Sequence, residues 1–262
     1  MAKLRDGVVR AALIVSLLVV IYFMVAALGT KFGLLDWTIG FVAMTLTWGV
    51  PVLLGAGVLA LLALLLALFV GPRRGIVSAL VALAIPAAAL GYGMYVRQAA
   101  AEIPPIHDIS TDLTGPPGFS EDVVQARAAI TNGNDLELLN AHTPDGASVI
   151  ELQRQHYADI QPVNTPLDPT RTFDVALDLA REQGWIITHA DPASGRIEAI
   201  AESFWFGFKD DIAIRVRPEG DGARVDMRSV SRVGRSDLGA NAARMRPYLR
   251  ALAERAHEAR QS

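Results

Sequence analysis

Cysteine is absent from this 262-residue chain. That excludes disulfides, thiolate metal sites and a thiol nucleophile. It is compatible with an oxidising compartment without requiring one. Charge is nearly absent from the first 96 residues, where Lys3, Arg5, Asp6, Arg10, Lys31, Asp36, Arg73 and Arg74 are the only Asp, Glu, Lys or Arg. From Arg97 onward charged residues make up about 26% of the chain, close to the roughly 25% of ordinary globular proteins. The sequence therefore reads as two objects, an apolar N-terminal region over 1–98 and a water-soluble domain over 99–262. This excludes a simple soluble globule, a disordered chain and a collagen-like chain.

Three apolar stretches stand out, with spans expected at about 8–29, 50–70 and 75–96. Eighteen uncharged residues from Ala11 to Leu28 reach about 27 Å at 1.5 Å per residue, close to one hydrocarbon core. Trp37 to Val70 has no charge and is too long for one upright crossing. Val50–Val70 is read as the span proper, with 37–49 as an interfacial or tilted lead-in broken near Pro51. The first stretch exceeds the 7 to 15 residues of a signal-peptide core and two more spans follow, so an uncleaved anchor is expected. Lys3, Arg5, Arg10, Arg73 and Arg74 put the N-terminus and the second loop in the cytoplasm by the positive-inside rule. Three crossings then place the C-terminal domain outside, in the periplasm or extracellular space, for a multi-pass protein of a bacterial inner membrane. Phe32, Trp37, Tyr92 and Tyr95 fall near the outer ends, as an aromatic belt does. The uncharged span cores hold no Asp, Glu, Lys, Arg or His, which disfavours proton relays and charged-substrate paths. They read as an anchor in the lipid bilayer or as an oligomerisation bundle, with Gly55-Ala56-Gly57 and Gly91 with Gly93 permitting close helix packing.

The soluble domain opens on an extended, proline-rich lead. Ser120, Glu121 and Asp122 predict a capped helix ending at Asn132-Gly133, and 134–168 is ambiguous. Asp168-Pro169 predicts a helix with Phe173, Ala176, Leu177 and Ala180 on one face, closed by Gly184. Strands are expected at 185–190, 196–204, 210–217 and 223–231, with turns at 192–195 and 219–222. A last helix is expected over 241–256. The order implies an α+β fold, an antiparallel four-stranded meander flanked by helices. Ile197, Ala199, Ala201, Ile212, Ile214, Val216, Val225 and Met227 share the core face. The other face carries Glu198, Glu202, Asp211, Arg215, Arg217, Arg224, Asp226 and Arg228. Its plain reading is a wetted surface with cross-strand ion pairs. The sharper reading is a row in which Glu198 and Asp226 flank Arg215.

Four segments together carry a resemblance: Ile103–Asp112, Arg196–Ala199, Phe206–Arg215 and Val225–Asn241. Over nearly all of 103–250 the chain resembles domain-of-unknown-function family 1499, and the apolar region looks like the multi-span N-terminus of some bacterial members. The resemblance implies an envelope or membrane-associated setting. It supplies no catalytic residues.

Three groups of residues carry candidate chemistry. Arg228, Ser231, Arg232, Arg235, Ser236 and Asn241 lead from the last strand to a helix N-terminus. There, guanidinium forks, hydroxyls and free N–H groups suit an anion. A protein carboxylate such as Asp210 or Asp211 can fill the same role and make the segment a structural clasp, with Asp237 or Asn241 as helix cap. His107, Asp108 and Asp112 form a second possible site, for acid–base work or a cation, against a plain turn network of side chains bonded to local backbone. Phe204, Trp205, Phe206 and Phe208 form an apolar hairpin tip that either closes the core or touches the bilayer or a lipidic ligand. No metal motif or cofactor fingerprint is present, and no Gly-x-Ser-x-Gly elbow. Residues 97–227 carry ten cations and 22 anions, whereas 228–262 carry eight cations and three anions. Nucleic acid is not an expected partner. The reading is a membrane-anchored envelope protein whose outward domain binds an anionic or lipidic ligand or a protein partner. The alternatives are a membrane-bound hydrolase using His107 and nearby carboxylates, and a structural assembly subunit.

Overall fold

The computed structural model describes residues 1–261; Ser262, the last residue of the expected C-terminal domain, lies outside them. The chain forms two compact units, Met1–Ala101 with Phe204–Gly207, and Glu102–Ser203 with the residues from Phe208 on.

The first unit is built on α1 (Ala2–Lys31), a π-helix (Thr38–Thr47), α2 (Gly49–Phe69) and α3 (Ile76–Ala101). The three α-helices are long and apolar enough to cross a membrane and anchor the chain there. They meet along an alanine seam of Ala12, Ala60, Ala63, Ala67, Ala79 and Ala82, all fully buried. Small side chains let helix backbones approach where lipid offers no hydrophobic drive. The seam is not made by the expected glycines: a Cβ at Gly55, Gly57, Gly91 or Gly93 would meet nothing within 4 Å. Polar ties are few. Pro86 inside α3 has no N–H to give the carbonyl of Ala82 one turn earlier, and Ser16 of α1 donates to that carbonyl instead, at 2.7 Å. The buried Arg5 donates to Val70 O at 2.9 Å and to Pro72 O, so a cation meets the carbonyl end of α2, where the helix dipole favours it.

The lead-in read from the sequence as interfacial or tilted is the π-helix. Asp36 accepts from the backbone N of Thr38 at 2.8 Å and its hydroxyl at 2.5 Å, satisfying the helix start. Thr45 and Thr47 return hydroxyl bonds to carbonyls five residues back. Pro51 lies in the first turn of α2, where its missing N–H costs nothing. Phe204–Gly207 group with these helices. Phe206 sets its ring edge-on to Phe41, with centroids 5.1 Å apart, and Lys31 Nζ donates to Phe204 O at 2.7 Å. Phe204 and Trp205 are exposed, whereas Phe208 belongs to the second unit.

The second unit is α+β. Its elements are β1 (Asp108–Ser110), α4 (Glu121–Ala128), α5 (Val149–His156), β2 (Val163–Thr165), α6 (Pro169–Glu182), β3 (Ile186–Asp191), β4 (Arg196–Glu202), β5 (Lys209–Glu219), β6 (Gly222–Ser231) and α7 (Ala240–Gln261). The expected meander is β3–β6. Two further short strands share the free edge of β6: β1 pairs with its second half and β2 with its first, all antiparallel. At three residues each, they are too short for a period-2 pattern to register. The core face is as expected. Ile197, Ile212, Ile214, Val225 and Met227 pack with Phe173 and Ala176 of α6 and Met245, Tyr248 and Leu252 of α7. Asp168 caps α6 through the amides of Thr170 and Arg171. Gly195 closes the β3–β4 turn at φ +65°, and a Cβ there would collide with Val216 O. The buried hydroxyl of Tyr248 donates to Ala176 O at 2.8 Å.

The opposite, charged face is wetted only in part: Glu202 is exposed and Arg215, Arg217 and Arg224 are half-buried. Glu198, Asp211, Asp226 and Arg228 are all buried, under the stretch that runs from β1 through α4. The proposed row also differs. Arg215 does stand opposite Asp226, but Glu198 stands opposite Ala213 and Arg215 opposite Arg196. Arg215 is instead flanked by Asp226 and Asp112. The cover is contributed by residues remote in sequence, which strand periodicity does not see.

Candidate functional site

The charged face is a layer of carboxylates and guanidinium groups. At its centre Arg228 grips Asp108 with two bonds, Nε to Oδ1 at 3.0 Å and Nη2 to Oδ2 at 2.6 Å, and donates to Leu136 O at 2.6 Å. Its guanidinium lies over the Phe119 ring. Burial pushes the Asp108 carboxyl up, against the pull of Arg228.

On one side, Asp226 accepts from Arg215 and Arg224 at 2.9 Å and pairs with Arg217 at 3.1 Å. Asp112 lies 3.3–3.6 Å from the same three guanidinium groups. Burial pushes Asp112 up, but hydrogen bonds from the Thr114 hydroxyl and the Gly115 and Thr114 amides, with the Arg224 charge, bring it down to about 2. On the other side, Asp211 is held by Arg127 at 2.6 Å and by Arg232 at 2.7 and 3.0 Å. Arg244 meets Asp210 at 2.6 Å.

The segment 228–241 is thus largely engaged within the chain. Arg228 and Arg232 hold carboxylates. Asn241 donates to His107 O and Ser231 Oγ and accepts from Ser229 Oγ. Asp237 accepts from the amides of Gly239 and Asn241, capping the start of α7, and burial pushes its carboxyl up. Ser236 Oγ accepts from the Leu238 amide. Arg235 has no ion pair among the described residues. In the second group, Asp108 and Asp112 are committed to arginines and local amides, and the His107 ring bonds neither carboxylate among the described residues. The same residues contain no cluster of three or more His, Asp or Glu suited to a metal ion.

A cleft of about 140 Å³ opens at the edge of this layer, between α4 and strands β3 and β4. Its polar walls are Ser120, Asp122, Thr188, His189, Glu198 and Arg232. A β-bulge at Thr188 breaks the β3–β4 register, so that Ile187 faces Ala199 and His189 faces Glu198. Bulges turn side chains out of strict alternation. Ser120 heads α4 but does not cap it with its hydroxyl. Both its amide and its hydroxyl go to Glu198, at 2.6 Å each. Arg232 spends Nε and Nη2 on Asp211, which leaves Nη1 without a protein partner among the described residues and its side chain 14% exposed. The cleft therefore offers a guanidinium edge, an imidazole and carboxylates in a small volume. Of these, the sequence offered Arg232 as a candidate anion ligand and Glu198 as part of a charged strand face. Ser120 read only as a cap, and His189 gave no signal because the bulge that presents it has no sequence signature. A larger, shallow depression of about 390 Å³ lies by Asp159, Leu249 and Arg250, where Arg246 pairs with Asp159 at 2.5 Å.

No curated protein matches the chain. The family model described as protein of unknown function (DUF1499) matches residues 108–252, from β1 into α7 and more than half of the sequence. This membrane-anchored chain belongs to the DUF1499 family, whose function is uncharacterised.

Proposed function

We propose that this protein is an envelope protein whose C-terminal domain faces away from the cytoplasm and binds a small ligand through an anionic group at the cleft walled by Arg232. The free Nη1 edge of Arg232 carries the reading. Among the guanidinium groups of the layer, Arg127 and Arg228 are buried, and Arg215, Arg217 and Arg224 are partly exposed but do not line the cleft. Arg232 is anchored by Asp211 yet keeps donors turned to an opening. An arginine fixed on one edge has lost its side-chain entropy before the ligand arrives, so a second, charge-assisted bond costs little further ordering. The sidedness rests on the cations at one end of the helices, Lys3, Arg5, Arg10, Arg73 and Arg74.

The test is a titration of the full chain in an uncharged detergent with inorganic phosphate and with acetate, followed by amide chemical shifts. Saturable shifts are expected at Ser120, His189 and Arg232. In Arg232→Lys the charge opposite Asp211 survives and the fork does not. Binding should therefore weaken about tenfold, the loss of one charge-assisted bond, and the melting temperature should fall by a few degrees from the lost second bond to Asp211, with the chain still folded through the Arg127 pair. Absence of saturable binding to the wild type overturns the proposal.

A further inference from the structure

One carboxylate of the buried layer is short of positive charge. Asp108, Asp112, Asp211 and Asp226 each accept at least one hydrogen bond from a guanidinium, at 2.6–3.3 Å. Glu198 is 1% exposed, and among the described residues its hydrogen bonds come from the amide and hydroxyl of Ser120. Its nearest cation is Arg196 Nη1 at 3.8 Å, on a side chain 43% exposed. A carboxylate taken out of water and held by neutral donors is only partly compensated. This one lines the cleft, with Asp122 also in its wall.

We infer that the cleft takes a zwitterion of the aminoalkyl phosphate class, its ammonium on Glu198 and Asp122 and its phosphate on Arg232 and His189. The inference rests on the reading above that Arg232 receives an anion. The distances favour this class over an α-amino acid. Asp211, which fixes Arg232, stands opposite Ile200, two residues along β4 from Glu198. Two residues along the strand at about 3.3 Å each, and one strand spacing of about 4.8 Å across, put the backbones that carry Glu198 and Asp211 about 8 Å apart. An α-amino acid carries both charges on one carbon, whereas an aminoethyl phosphate spreads them along a chain. The volume agrees: 140 Å³ is about four or five waters at about 30 Å³ each, room for a head group and little more. Such a group arrives either as a free small molecule or at the end of a phospholipid.

The full chain in a maltoside detergent is titrated separately with O-phosphoethanolamine, its N-acetyl derivative, ethanolamine and inorganic phosphate. O-phosphoethanolamine is expected to bind about tenfold or more tightly than the other three, the gain of one charge-assisted bond. Glu198→Gln should remove that advantage while leaving phosphate binding in place. If Glu198→Gln does not fold, Asp122→Asn on the exposed first turn of α4 should reduce it several-fold, and the N-acetyl comparison on the wild type remains decisive. If phosphate binds and O-phosphoethanolamine binds no better, the zwitterion inference falls and the anion site stands. If none of the four binds, both fall. With O-phosphoethanolamine bound, competition by vesicles containing phosphatidylethanolamine, but not by phosphatidylglycerol vesicles, supports a lipid as the source. Lack of competition supports a free ligand.

Discussion

Asp112 shows how a single side chain can be set by its surroundings. Its carboxylate collects two amides, a hydroxyl and three nearby guanidinium groups, and sits at a pKa of about 2, against about 3.9 in an unfolded chain. The folded value is the lower one, so the unfolded state binds protons first as the pH falls. The stabilisation is therefore complete above about pH 4 and is lost as the pH drops toward 2. Its size is on the order of 2 kcal/mol. Denaturant melts of the C-terminal unit at pH 7, 4 and 2 should show a steep loss between the last two. In Asp112→Asn the protein should start weaker at pH 7 and lose less across that window. An unchanged slope would mean that the charge on Asp112 contributes nothing. The neighbouring pair of Arg228 and Asp108 does not share that pH dependence, because burial pushes the Asp108 carboxyl up; both partners are buried, and removing either leaves an uncompensated charge, at about 3–5 kcal/mol.

Helices and strands depend on how their ends and breaks are satisfied. In α3 the break is Pro86, and the repair comes from another helix, through Ser16. In hydrocarbon there is no water to take the place of that hydroxyl. Ser16→Ala should destabilise the helical unit by about 1 kcal/mol. Pro86→Ala restores the N–H that reaches Ala82 O, so in that background the Ser16 substitution should cost almost nothing. Additive losses in the four-member cycle, measured by detergent unfolding, would refute this link. In the second unit α6 was legible from its one apolar face, and β3–β6 from runs of six or more strand-forming residues bounded by turn residues. The sequence did not reveal β1 and β2, three residues each, or the bulge at Thr188, since all three are defined by pairing with a remote strand. The helix after Ser120 was expected to run to Asn132 and ends at Ala128. Its expected capping hydroxyl is drawn to Glu198 instead.

For the chain as an assembled object, the arrangement in the membrane is the most direct check. The three apolar helices and the cations at 3–10 and 73–74 predict that a periplasm-dependent reporter fused after Ser262 is active and that one fused at Arg74 is silent. A cytoplasm-dependent reporter should give the reverse pattern. Activity swapped between the two sites would put the C-terminal unit inside the cell and remove the envelope reading, while leaving the cleft and its binding test untouched.

Apolar runs, strand alternation and turn residues were enough to specify three membrane helices, the meander and which face of it is the core. Each of those signals is local, because burial repeats every two or 3.6 residues along one segment. The sequence also contained the arginines and carboxylates of the second face, and nothing local told a wetted face from a buried one. Folding settled that by bringing residues 84 and 120 apart together, Arg127 with Asp211 and Arg228 with Asp108. It left Glu198 beside an opening, hydrogen-bonded by Ser120 and, among the described residues, paired with a cation only at 3.8 Å, that of Arg196. The cost of burying a charge depends on what lies within a few ångströms in space, and that distance is not written in the spacing of residues along the chain.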